Sequence, residues 1–139
     1  MFANLFSRKP SNESSEITAR QAMAAVMVRI AKSDDDYAVA ECERIDAVLS
    51  VLYDLSKAEA TSLRLQAEVL EADAPDTVRF TRAIKNAVPY DDRFDVVRAL
   101  WQVVLADGER DHEEDALMRL LASLLGVNDR DSAIARQQA

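Results

Sequence analysis

Apolar residues recur along this chain at three- and four-residue intervals, interrupted by short polar breaks. Ile17, Ala24, Val28 and Ala31 share one helical face, with Met27 and Ile30 beside them, so a first helix is predicted from about Ser15 to Lys32. The preceding "SNESSE" supplies N-cap residues, whose side-chain oxygens accept from the orphaned N–H groups of a first turn. "SDDDY" breaks the pattern. A second helix is expected from about Val39 to Tyr53, with Ile45, Val48, Leu49 and Leu52 facing inward. "SKAE", Ser56 to Glu59, is a capping box and opens a third helix to about Ala72. Pro75 and Asp76 start a fourth, carrying Phe80, Ile84 and Val88, and Pro89 ends it. Asp91 should cap a fifth, whose stripe is Phe94, Val97, Trp101 and Val104 and whose stop is Gly108. A sixth is expected from about His112 to Leu125, with Leu117, Leu121 and Leu124 buried. Gly126 ends it, and Asn128 or Asp129 caps a last short helix.

The pattern therefore gives an all-α fold of about seven helices with short loops. Composition agrees, since two glycines and three prolines in 139 residues are too few for the turns of a β domain. That length suits a single compact domain with a real core, expected over residues 14–139 behind a flexible N-terminal arm of residues 1–13. The apolar part of "MFANLFSRKP" is too short for a signal-peptide core, and its basic residues follow rather than precede it. Phe2, Leu5 and Phe6 could serve as a small anchor, but a frayed tail is the simpler reading. No apolar run reaches the roughly 18 residues of a membrane span.

Charge narrows the partners. The formal net charge is −8 and the pI about 4.6. Such a surface repels phosphate backbones and anionic membranes, and attracts cations or a basic partner. There is no glycine-rich phosphate loop and no basic patch interleaved with aromatics, so nucleic acid is not an expected partner. Cys42 is the only cysteine, which excludes an internal disulfide and a thiolate zinc site and fits a reducing, cytoplasmic setting. An inert, partly buried thiol is the expected state of Cys42. No nucleophile, base and orienting group can be placed together, so no enzymatic activity is expected.

The loops contain a repeat. When "AKSDDDYAVAECERI" (31–45) is set on "VLADGERDHEEDALM" (104–118), Asp34 falls on Asp107 and Glu41 on Glu114. Around them Ile30 falls on Val103, Ile45 on Met118, Val48 on Leu121 and Leu52 on Leu125. In both copies an aspartate ends one helix and a glutamate lies in the first turn of the next. The shared helix–loop–helix context points to an ancestral duplication.

"VRIAKSDDDYAVAECERI" and "ALWQVVLADGERDHEEDALMRLLASLLGVND" resemble the TerB-like family of tellurite-resistance proteins, as does "VRFTRAIKNAV" between them. The likeness runs from about residue 17 to the C-terminus. The second loop follows the family's Ala-Asp-Gly pattern with a helix-initiating glutamate. The first departs from it, with Asp35 where glycine is usual and Ala38 where a capping residue is common. The resemblance implies an all-helical, non-catalytic module linked to tellurite and other chemical stress, with acidic loops as candidate metal sites. It also implies a metal-independent alternative, because related domains beside J-domains in membrane-anchored co-chaperones act as interaction modules.

The candidate ligands are Asp34, Asp36 and Glu41 in the first loop, with Asp107, Glu109, Asp111 and Glu114 in the second. An all-oxygen set favours calcium or magnesium over zinc. Each loop is too short to wrap a cation that wants six or more oxygens, so a site would need both, brought together about a pseudo-twofold axis. Capping is the competing reading. Asp111 to Glu114 is itself a capping box, and acids at a helix start are favoured by the macrodipole. Ala38 has no side-chain oxygen, so Glu41 lacks a reciprocal partner and some other duty is mildly favoured for it. His112 could reach zinc or nickel only with nitrogen or sulfur ligands that the chain does not offer nearby. A protein partner, soluble or membrane-associated, and self-association are both compatible with this surface.

Overall fold

The computed structural model describes residues 17–33, 37–74, 76–105 and 112–139, the side chains of 112–114 excepted. Among these, seven α-helices and one 3₁₀ turn account for most of the described residues, and there is no strand. The helices are α1 (Ala19–Lys32), α2 (Val39–Tyr53), α3 (Lys57–Asp73), α4 (Val78–Ala87), α5 (Arg93–Val104), α6 (His112–Leu124) and α7 (Asp129–Gln138). The 3₁₀ turn, Tyr90–Asp92, leads into α5.

α1 is the hub. Ala22 to Val28 are buried without interruption, followed by Ile30 and Ala31, so this helix is enclosed nearly all round. Its alanines let neighbouring helices approach closely, and Met23 and Met27 fill the irregular gaps between them. α3 and α4 pack along it, while α2, α5 and α6 close the remaining sides. α7 lies mainly on α5, where the Trp101 indole N–H donates to the Ser132 hydroxyl at 3.1 Å. The single face expected for α1 was too narrow, because a central helix must be apolar on every side.

Several boundaries follow their caps. Thr18 and Gln21 form a reciprocal box at the start of α1, whose first residue, Ala19, lies four residues after the expected start at Ser15. "SNESSE" itself lies outside the described residues. Ser56 and Glu59 form the expected box on α3, and the Asn128 side chain caps α7. Gly126 takes φ +80°, and Val127 N–H reaches back to Ala122 O at 2.8 Å, the left-handed stop foreseen for α6. The expected cap at Asp91 is not formed: Asp91 lies within the 3₁₀ turn, and α5 starts after it at Arg93. Among the described side chains of α6 the buried ones are Met118, Leu121, Ala122 and, just past its end, Leu125, while Leu117 and Leu124 are only half-buried. The inward face is thus rotated from the predicted one toward Met118. Leu52, expected inside, is 38% exposed near the end of α2.

The duplication has a structural counterpart. α1–α2 and α5–α6 are each a helix–loop–helix unit. Of the corresponding pairs, Ile30 and Val103, Ile45 and Met118, and Val48 and Leu121 are all buried. Leu52 and Leu125 break the match, since Leu125 is fully buried.

Candidate functional site

The two connectors between paired helices are the places where the sequence concentrates carboxylates. Of the seven candidate ligands, Asp34, Asp36, Asp107, Glu109 and Asp111 lie outside the described residues, as does the side chain of Glu114 in α6. Glu41 alone is described with its side chain. It sits in the first turn of α2, only 7% exposed, and its Oε1 accepts from the Ala38 backbone N–H at 2.9 Å. Glu41 thus performs half of a capping box. Ala38 cannot supply the other half, having no oxygen to accept from the Glu41 N–H. The reciprocal partner is missing, as the sequence implied, yet the duty found for Glu41 is still a capping one. Among the described residues, no three acidic, histidine or cysteine side chains come close enough to hold a metal ion. The donor chemistry proposed for the two loops is all carboxylate oxygen, which suits a hard divalent cation.

What the structure adds is how the residues on either side of positions 34–36 are held. On its N-terminal side, Lys32 Nζ lies 2.8 Å from Glu71 Oε1 and Arg29 Nε 3.0 Å from Glu71 Oε2. Arg29 also donates to the carbonyls of Glu71 and Ala74. Burial alone would raise the Glu71 carboxyl. The hydrogen bonds and charges of Lys32 and Arg29 outweigh it and hold the group below the usual carboxylate range. On the C-terminal side, the Tyr37 hydroxyl donates to Glu68 Oε2 at 2.6 Å. Arg64 donates to the same oxygen at 2.8 Å and to Asp46 Oδ1 at 2.7 Å, while the Thr61 hydroxyl donates to Asp46 Oδ2. Burial, reinforced by the bond to Glu68, pushes the Tyr37 phenol up, so it stays a donor. Glu68 and Glu71, three residues apart on α3, therefore hold both flanks of residues 34–36.

Sequence reading missed this clamp. Asp46, Arg64, Glu68, Glu71 and Arg29 look like ordinary solvated helix charges. Only their adjacency to Ile45, Ala67 and Ile30, all fully buried, hinted at partial burial. The family described as tellurite resistance protein TerB matches residues 20–137, which include both helix–loop–helix units. The chain belongs to the TerB family. Neither curated proteins nor solved structures give a match.

For a TerB domain the remaining surface is informative. A groove of about 460 Å³ runs between α2 and α5, lined by Arg44, Ala47, Val48, Val51, Gln102 and Leu105. Cys42 is partly buried, as expected. No described helix is long and apolar enough to cross a membrane.

Proposed function

We propose that this TerB protein is a non-enzymatic, stress-linked helical module that holds one divalent cation, calcium or magnesium, between its two acidic loops. The observation that carries this reading is the paired burial of Ile30 with Val103, Ile45 with Met118 and Val48 with Leu121. Such matching makes the two acidic connectors equivalent parts of two related units. A cation needing six or more oxygens is then served by Asp34, Asp36 and Glu41 from one side, with Asp107, Glu109, Asp111 and Glu114 from the other.

Calorimetric titration of the full chain with calcium and with magnesium tests this directly. One ion per chain is expected for at least one of the two metals, with binding abolished in Asp107→Asn. Absence of binding for both would reject the cation. A second reading, a metal-independent interaction module, is favoured by the exposure of Leu65 (51%) and Val69 (64%), one turn apart on α3. It would be left standing by that result.

A further inference from the structure

We propose that the outward face of α4 is a docking surface for a short acidic segment of a protein partner. Within Val78–Ala87 there are three cations, Arg79, Arg82 and Lys85, and no acid. All three are exposed. Their three-residue spacing puts them on one face, opposite the buried Phe80, Thr81 and Ile84. They span about 9 Å at 1.5 Å of rise per residue. Among the described residues, none of the three is ion-paired, in contrast to the clamped Arg29, Lys32 and Arg64. In a chain of net charge −8 this is a local inversion of sign, and the rest of the molecule is correspondingly more acidic.

Charge complementarity selects an anionic occupant, and geometry selects a small one. Asp73 and Asp76 precede the helix and Asp91 and Asp92 follow it, all exposed. An anionic bilayer is a plane much wider than the cationic strip, so it would meet these acids within a Debye length of about 8–10 Å. The outward face also lacks an aromatic side chain to enter a membrane interface, its other exposed members being Val78 and Asn86. A few consecutive carboxylates match the strip alone, and the two guanidinium groups can take them in two-point pairs. This surface is independent of the acidic loops and does not rest on cation binding.

The test is fluorescence anisotropy of a labelled hexaglutamate peptide with the full chain at about 20 mM and 150 mM salt. Binding that weakens with salt is expected for the wild type. Affinity should fall at least tenfold in the triple variant Arg79→Glu, Arg82→Glu, Lys85→Glu and stay within twofold in Arg130→Glu, an exposed cation on α7. The triple glutamine variant gives the same comparison should the reversed one fail to fold. Unchanged binding in the triple variant overturns the proposal, as does an equal loss in Arg130→Glu. Sedimentation with phosphatidylglycerol vesicles that depends on the same three residues, without peptide binding, also overturns it in favour of a membrane surface.

Discussion

Glu71 shows how far a single residue's role depends on what surrounds it. Two cations from α1 hold it ionised in a largely buried position. Its folded-state carboxyl is lowered relative to the ordinary value near 4.5. The stability it contributes is therefore present above that ordinary value and is lost as pH falls through the lowered one. Glu71→Gln should cost about 1–3 kcal/mol at pH 7, since it removes charge-assisted bonds from partly buried partners. The difference between variant and wild type should shrink as the pH falls below about 4. Urea unfolding of both proteins at pH 7 and pH 3.5 checks the size and the sign. No sequence pattern could have marked Glu71, because its partners lie about forty positions away and periodicity reports only an element's own faces.

The helices were legible wherever a local signal sufficed. Capping boxes, the left-handed glycine after α6 and three- and four-residue spacing are properties of neighbouring residues, so α2, α3 and α6 fall close to their expected bounds. The errors arose where tertiary packing decides. α1 is enclosed nearly all round, α6 presents Met118 in place of Leu117, and the start of α5 is shifted past Asp91 by a 3₁₀ turn. Two predictions belong at this scale. Ala38 has extended backbone at the α2 N-cap, φ −88° and ψ 169°, so serine fits there without strain. Ala38→Ser should complete the half-formed box and raise stability by about 0.5–1 kcal/mol, measurable as a higher denaturant midpoint. The duplicated positions Leu52 and Leu125 should also differ. Leu125→Ala should cost about 2–5 kcal/mol because it empties a fully buried site. Leu52→Ala should cost less than about 1 kcal/mol, because its side chain is already partly in water. Equal losses in thermal melts would contradict the burial difference.

For the whole molecule, the duplication was readable because corresponding residues keep the same order and spacing along the sequence. The TerB family match spans residues 20–137 and so covers both units. The candidate ligands were readable as carboxylates at repeated positions. Which of them cap helices is a question of local geometry, and Glu41 shows that capping and a buried setting coincide. A shared cation makes the two halves energetically dependent on each other, whereas caps act locally. Thermal melts of the wild type, Asp34→Asn, Asp107→Asn and the double variant, with and without calcium or magnesium, measure that dependence. An ion binding only the folded state at a hundredfold excess over Kd adds about 2.7 kcal/mol. The account predicts that each single variant loses the ion-dependent rise in Tm and that the double variant loses no more than either single one. Ion-independent losses that simply add across Asp34 and Asp107 would contradict it.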